Sequence, residues 1–380
     1  MINQDKQHFQ EIGHLGFGLM RLPKAAGSDS EIDLEQTKAM VDHFMAAGLN
    51  YFDTAYVYGD GRSEEAARKA LVERYPRESF KLATKLCAWM GCDDEASAKQ
   101  EFYTSLERTG AGYFDFYLLH SIKEDNLDKY DDYGIWDFVK EQKEKGLIKR
   151  WGFSFHDKPG LLDKLLTDHP DVDFVQLQLN YADWDDLKIL SRANYEVARA
   201  HNVSIVVMEP VKGGLLADPP APVAKILKEA DPAASPASWA VRFAASLDGV
   251  ITVLSGMSTL EQMDDNLSYM RAFKPLSYEE QRVIAQAQQA IADIDSISCT
   301  ACHYCMPGCP INMPIPDIFT AMNKEILYHK TEDAKVAYAF ATDKAGTRAS
   351  DCIACGQCED ACPQNIHVIS RLRDSAAALE

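Results

Sequence analysis

Residues 33–85 read DLEQTKAMVDHFMAAGLNYFDTAYVYGDGRSEEAARKALVERYPRESFKLATK, and the spacing of their apolar residues changes period several times. Over 33–47 they recur every three or four positions, the spacing that lines one side of a helix; 50–54 is a short, bulky apolar run; 63–74 returns to helical spacing, and 80–85 is strand-like again. A strand followed by a helix long enough to cross back over a sheet leads to a second strand parallel to the first.

The same alternation continues outward in both directions. Strands are expected at 14–20, 50–54, 80–85, 114–120, 148–153, 174–179, 203–208 and 250–254, with amphipathic helices that include 33–47, 63–74, 95–109 and 187–201. Eight strand–helix units over about 250 residues match a closed (β/α)8 TIM barrel, an α/β fold. The barrel is assigned residues 1–275. Residues 276–298 are read as a connecting amphipathic helix, with Glu279 and Gln281 on one side and Val283, Ile284 and Ile291 on the other. Residues 299–380 then form a second, small and mainly α-helical domain, with no low-complexity linker before it.

Composition narrows the function. Fifty-eight acidic residues against 39 basic ones give a formal charge of −19, which excludes a surface built to neutralise nucleic-acid phosphates. The first ten residues are polar, and no apolar run approaches the roughly 20 residues that a bilayer requires, so a cytoplasmic protein without a membrane partner is expected. Eight of the ten cysteines crowd into two short runs, the usage of metal ligands in a reducing compartment, while Cys87 and Cys92 stand apart.

Cys299, Cys302, Cys305 and Cys309 precede Pro310, and Cys352, Cys355, Cys358 and Cys362 precede Pro363; each run spells C-x2-C-x2-C-x3-C-P. Three thiolates at this spacing wrap three corners of a 4Fe-4S cubane, and the fourth cysteine reaches the other cluster. One cluster is therefore assigned Cys299, Cys302, Cys305 and Cys362, the other Cys352, Cys355, Cys358 and Cys309. Zinc sites are the competing reading, but they favour two C-x2-C pairs separated by a longer loop. The intervening 311–351 is rich in helix formers, notably 318–329 and 333–341, and resembles the α-helical ferredoxin domain of respiratory dehydrogenase subunits. The clusters either carry electrons or only hold the fold together.

Chemistry in such a barrel sits at the C-terminal ends of its strands. Asp53 closes the second expected strand, Tyr58 follows in the loop, Lys85 ends the third and His120 ends the fourth. Singly each could be an ordinary loop residue; four on adjacent strands form a constellation.

Around these positions the chain resembles the aldo-keto reductase superfamily over residues 12–270. The resemblance lies in Phe52-Asp53-Thr54-Ala55 with Tyr58-Gly59, Ser63-Glu64, Ala70-Leu71, Ala83-Thr84-Lys85, Leu118-Leu119-His120, the run ending Gly152-Phe153-Ser154, Gln176 and Asn266. It implies a catalytic tetrad of Asp53, Tyr58, Lys85 and His120. Tyr58 would donate a proton, its pKa brought toward working pH by the Lys85 ammonium, and Asp53 would keep Lys85 charged and in place. His120 would hydrogen-bond the substrate oxygen as charge develops there. Tyr56 is a competing phenol whose spacing from Asp53 does not match the family.

The resemblance also implies a nicotinamide nucleotide, NAD(P)H, held by Gly18, Met20 and Arg21 after the first strand, by Ser154 and Gln176 at the carboxamide, and by residues after the eighth strand including Gly256, Thr259, Gln262 and Asn266. Two departures stand out. Ser154-Phe155-His156 replaces the family's Ser-Asn, and Gly256 and Gln262 stand where NADPH-specific members place a Lys and an Arg. Pro210, Lys212 and Gly213, in the run Glu209 to Gly214 after the seventh strand, are read either as a phosphate cradle or as a tight turn with an exposed lysine. A flavin is retained as an alternative cofactor, because single electrons from clusters reach a hydride acceptor only through an intermediary.

The whole chain is similar to aldo-keto reductase homologues that carry a C-terminal ferredoxin domain. It is expected to be an oxidoreductase that reduces a small-molecule carbonyl or oxidises an alcohol, exchanging electrons through two 4Fe-4S clusters with an external carrier of ferredoxin or flavodoxin type. The alternatives are an NAD(P)H-dependent reductase with structural clusters, and a non-catalytic electron-transfer or regulatory subunit. Trp89, Tyr130, Trp184 and His156 are candidates to line the substrate pocket.

Overall fold

The computed structural model describes residues 9, 11–28, 30–187, 189–297, 299, 305–362 and 366–380. They divide into two compact units: Met1–Ala217 with Ala237–Gln281, and Asp218–Pro236 with Arg282–Glu380.

The first unit is a closed parallel barrel with its strands in sequence order: β1 Leu15–Gly18, β2 Tyr51–Asp53, β3 Lys81–Leu86, β4 Phe114–Ile122, β5 Ile148–Phe155, β6 Phe174–Gln178, β7 Ser204–Met208 and β8 Val250–Ser255. All eight expected strands are present and pair in the expected order. Period-two alternation decides which side chains fill the barrel. Tyr51, Ala83, Phe116, Leu118, Phe174, Val206, Ile251 and Leu254 form the inner core, and Phe9 and Ile12 pack against it. The opposite strand faces meet the helices in a larger core that includes Phe17, Phe44, Leu82, Phe102, Tyr117, Leu119 and Trp151.

Local chemistry sets the helix ends. Asp33 caps helix Leu34–Ala46 by accepting from the Gln36 N–H at 2.9 Å, and Asp94 with Ser97 forms a reciprocal cap on helix Glu95–Thr109, which stops at Gly110 in the left-handed region. Gly152 on β5 lets the sheet close: a Cβ there would lie 2.1 Å from the Phe174 carbonyl oxygen on β6.

In the second unit, helices Ile315–Tyr328, Thr331–Ala345 and Val368–Leu379 surround a core of Met313, Ile318, Phe319, Ala334, Tyr338, Val368 and Leu372. Both helices expected between the cysteine runs are present, each a few residues longer than the periodicity indicated. Tyr338 ties the ends together, its hydroxyl accepting from the Ala349 N–H at 2.7 Å and donating to the Glu380 carboxylate. Helix Ala221–Ala230, with Val223 and Leu227 buried, belongs to this unit although the chain reaches it straight from the barrel. Among the described residues, no helix is long and apolar enough to cross a membrane.

Candidate active site

The inner face of each strand continues one step past the barrel core into a polar layer. Asp53 follows Tyr51 on β2, Lys85 follows Ala83 on β3, His120 follows Leu118 on β4 and Gln176 follows Phe174 on β6, each two residues on and hence on the same side. The four tetrad candidates are brought together. Lys85 Nζ lies 2.5 Å from Asp53 Oδ1 and donates to the Thr54 carbonyl at 2.7 Å, and Lys85 and Asp53 are almost completely buried. Its ammonium also stands 4.8 Å from the centre of the Tyr58 ring, which meets the His120 ring edge-on at 5.7 Å. The Tyr58 loop is held by its own backbone, the Tyr58 carbonyl accepting from the N–H groups of Gly61 and Ser63. Tyr56 is drawn away, its ring lying 4.4 Å from the Arg108 guanidinium.

The electrostatics separate the roles. Burial disfavours the Lys85 charge, but Asp53 and Tyr58 more than offset it, leaving the ammonium with a pKa above its ordinary value. For Tyr58 the balance goes against the sequence expectation. Loss of water around the phenol raises its pKa more than Lys85 lowers it, with Asp53 and Glu209 adding to the rise, so the ammonium limits an increase rather than producing a net decrease. Tyr58 is therefore a protonated phenol at neutral pH. Burial first, then the Lys85 charge and His156, holds the His120 pKa well below the usual value, so His120 is a neutral imidazole there.

The nicotinamide candidates fall into two groups. Around the ends of β1 and β8, the Ser258 hydroxyl donates to the Arg21 carbonyl at 2.6 Å, a Cβ on Gly18 would lie 3.4 Å from the Ser255 carbonyl oxygen, and one on Gly256 would touch the Arg21 side chain at 3.6 Å. Met20 is 58% exposed beside them. Thr259 caps helix Leu260–Met270 by accepting from the Gln262 N–H at 3.2 Å, Gln262 Oε1 accepts from the Ser258 N–H, and Asn266 Nδ2 donates to the Gln262 carbonyl. Buried oxygens Gln176 Oε1 and Asn266 Oδ1 have no protein partner. Ser154 Oγ accepts from the Ser121 N–H at 2.7 Å, leaving its O–H free to rotate. The donor set fits a carboxamide, because an unpaired buried acceptor and a free hydroxyl are what an amide NH2 and C=O would satisfy. Phe155, where the family has Asn, is buried in the outer core and contributes no polar atom.

The second group is the turn after β7. Glu209, Lys212, Gly213 and Gly214 all have positive φ, and Pro210 is buried. Lys212 is neither an open cradle cation nor a free surface lysine: it is ion-paired with buried Asp183, which also accepts from Gln178 and Asn180. Glu209 faces Arg21 at 3.9 Å. Sequence reading missed Glu209 and Asp183 as neighbours of the site, for Glu209 meets Arg21 after β1 and Asp183 meets Lys212 after β7, pairings far apart in the sequence.

The suggested pocket aromatics divide as well. Trp89 is 38% exposed and His156 is exposed, but Tyr130 is fully buried and Trp184 packs on Tyr195 and Phe243 at 5.4 and 5.5 Å. Tyr130, in helix Leu127–Asp132, is therefore packed inside rather than lining a pocket, whereas Trp184, in the loop after β6, is half-buried.

In the second unit a small cavity of about 20 Å³ is lined by Cys309, Cys352, Cys355 and Cys358, with Ile311, Met313, Ile353, Ile369 and Leu372 among its apolar walls. These are the four cysteines assigned to one cluster, and four sulfur donors amid apolar side chains are the ligand chemistry of a cubane. Among the described residues, no three His, Cys, Asp or Glu side chains converge as ligands of a single metal ion. Of the other expected set, Cys302 lies outside the described residues, as does Pro363.

The aldo/keto reductase family model matches residues 14–289, well over half of the chain. The chain belongs to the aldo/keto reductase family. Residues 298–367 match a 4Fe-4S dicluster domain, so this aldo/keto reductase is an oxidoreductase with an iron–sulfur domain. It is 26% identical to the oxidoreductase YqkF of Bacillus subtilis, over 71% of this chain and 90% of that protein. It is 25% identical to L-galactose dehydrogenase of Arabidopsis thaliana, over 71% and 88%. Among solved structures, aldo-keto reductase AKR11C1 from Bacillus halodurans (holo form) superposes with a TM-score of 0.59 at 27% identity, over 73% of this chain and 92% of that one. An aldo-keto reductase from Klebsiella pneumoniae in complex with NADPH superposes at 0.57 with 20% identity, over 73% and 91%.

Proposed function

We propose that this aldo/keto reductase interconverts a small-molecule carbonyl and its alcohol at Asp53, Tyr58, Lys85 and His120, and that electrons enter or leave through two 4Fe-4S clusters. The observation that carries the reading is the stacking of functions in one polar layer: a buried carboxylate holds an ammonium, the ammonium faces a phenol ring, and the phenol meets a neutral imidazole.

Reduction adds two electrons and two protons to the carbonyl. Tyr58 gives a proton to the oxygen, and Lys85 stabilises the phenolate left behind. His120, as a neutral imidazole, donates a hydrogen bond to the same oxygen while negative charge grows on it. Asp53 prevents Lys85 from losing its charge in a buried place. A nicotinamide, when bound, supplies a hydride to the carbonyl carbon; Ser154 and Gln176 would hold its carboxamide, and Gly18, Met20, Arg21, Gly256, Thr259, Gln262 and Asn266 the remainder. The NADPH complex of the Klebsiella pneumoniae neighbour supports that choice of cofactor class. Cys352, Cys355, Cys358 and Cys309 would hold one cluster, and Cys299, Cys302, Cys305 and Cys362 the other; two one-electron centres match the electron count of the reaction, with a flavin to pass their single electrons on as a hydride. An external ferredoxin- or flavodoxin-type protein would be the carrier.

The test uses anaerobically cluster-loaded protein and 4-nitrobenzaldehyde, with NADPH, NADH or reduced methyl viologen as donor. Viologen-driven alcohol formation that is lost in both Cys355→Ser and Tyr58→Phe is the expected result. Turnover with NADPH alone, unchanged by Cys355→Ser, would reduce the clusters to a structural role.

A further inference from the structure

His120 sits on an irregular piece of strand. The β4–β5 register runs regularly to Leu119↔Phe153 and resumes at Ile122↔Phe155, so two residues, His120 and Ser121, stand opposite Ser154 alone. That is a β-bulge, a device that redirects a side chain and breaks the ladder locally. Ser121 has φ of +57°, a left-handed conformation that a non-glycine residue adopts only when its surroundings hold it there.

The surroundings are four side chains, each bonded to the bulge backbone. Tyr130 Oη and Trp89 Nε1 both donate to the His120 carbonyl, at 2.5 and 3.1 Å. Ser154 Oγ accepts from the Ser121 N–H at 2.7 Å. Asn126 Nδ2 donates to the Ser121 carbonyl at 2.9 Å, and its Oδ1 accepts from the Lys123 N–H at 2.9 Å. Tyr130 and Ser154 are almost fully buried and Asn126 is 9% exposed, so water competes little for their bonds, whereas the Trp89 bond is open to solvent. Both carbonyls of the bulge and the Ser121 N–H are thus held by side chains from the loop after β3, from β5 and from the segment after β4.

We infer that Asn126 and Tyr130 are positioning residues for the reaction: by clamping the His120–Ser121 bulge they aim the His120 imidazole at the substrate oxygen. The inference rests on the role proposed above for His120. Neither residue touches the tetrad rings through its own side chain in the bonds described; both act on the backbone that carries the imidazole. A hydrogen-bond donor aimed about 1 Å away from its target loses much of its value in the transition state.

The experiment measures NADPH-dependent reduction of 4-nitrobenzaldehyde by cluster-loaded Tyr130→Phe, Asn126→Asp and the pair, each in the native and the His120→Ala background. Tyr130→Phe retains the buried ring, and Asn126→Asp retains the acceptor for Lys123, so both variants keep the fold. Each is expected to lower kcat about tenfold, with KM for NADPH changed by less than roughly twofold, and to add nothing once His120 is alanine. A readout independent of turnover is the His120 ring signal in 13C,15N-histidine NMR, narrow in the native protein and broadened or split in the variants. If His120→Ala lowers kcat but the two variants leave kcat and the ring signal unchanged, or act equally strongly without His120, the positioning role is wrong while the tetrad reading survives. If His120→Ala itself leaves kcat intact, both fail.

Discussion

The barrel mouth and the cysteine cavity are two candidate sites built on opposite principles. At the mouth, charge is buried and then answered: Lys85 by Asp53, Asp183 by Lys212, Glu64 by Thr84 and Arg108. In the cavity, the walls are isoleucine, leucine, methionine and sulfur, with no charged side chain among them. Proton transfer needs groups whose ionisation is set in advance, whereas electron transfer needs a dry, unpolarised shell around the centre. One chain thus supplies both environments without mixing them.

The comparison breaks most sharply at Tyr58. Tyr58→Phe keeps the ring against His120 and removes only the proton, so kcat for carbonyl reduction should fall by about 10²- to 10⁴-fold while the iron content stays unchanged. An equal loss of iron would show that the two places are not independent. Next comes the answered charge. Lys85→Met leaves the Asp53 carboxylate buried without its cation and should destabilise the barrel by about 3–5 kcal/mol in chemical denaturation. Asp53→Leu added to Lys85→Met should recover most of that; no recovery would mean that Lys85 stabilises by packing rather than by charge.

On the cavity side, Cys309→Ala is expected to remove the cluster of the second cysteine run and leave the one anchored by its own run, halving the bound iron with one paramagnetic signal retained on reduction. Loss of both signals, or of the other one, would overturn the crossed ligand assignment. The smallest effect concerns a buried carboxylate whose ionisation is governed first by burial. Glu101 accepts from the Cys87 N–H at 2.7 Å and from the Cys92 thiol at 3.3 Å, and burial raises its pKa to about 7. Because the folded protein binds this proton more tightly than the unfolded chain, the stability it confers is complete below pH about 4.5 and is lost as pH rises through 7, about 3 kcal/mol in all. Glu101→Gln should flatten that slope in denaturation midpoints measured between pH 5 and pH 7.5.

The fold was legible because short apolar runs such as 50–54 and 80–85 alternate with helical spacing, and parallel strands joined by helices have few ways to close. Asp53, Lys85 and His120 were legible for the same reason: each lies at the end of a strand, two residues beyond an inner-core position. Other features depended on pairings that no local pattern encodes. The Lys212–Asp183 pair joins the turn after β7 to the loop after β6. Ser121 takes a left-handed conformation without being glycine, and the Asn126 that holds it has the sequence appearance of any loop polar residue. The direction of the Tyr58 shift was missed because the neighbouring ammonium is visible in sequence, whereas the amount of water displaced is not.

The division of the second unit into Asp218–Pro236 and Arg282–Glu380 has a practical corollary for anyone dissecting the enzyme. The polypeptide passes between the units three times, after Ala217, after Pro236 and after Gln281, so no single cut releases one intact body from the other. A clone ended at Gln281 would strand helix Ala221–Ala230, with Val223 and Leu227 deprived of the unit they belong to. Grafting the iron–sulfur part onto another barrel therefore means transplanting an internal insertion together with the tail.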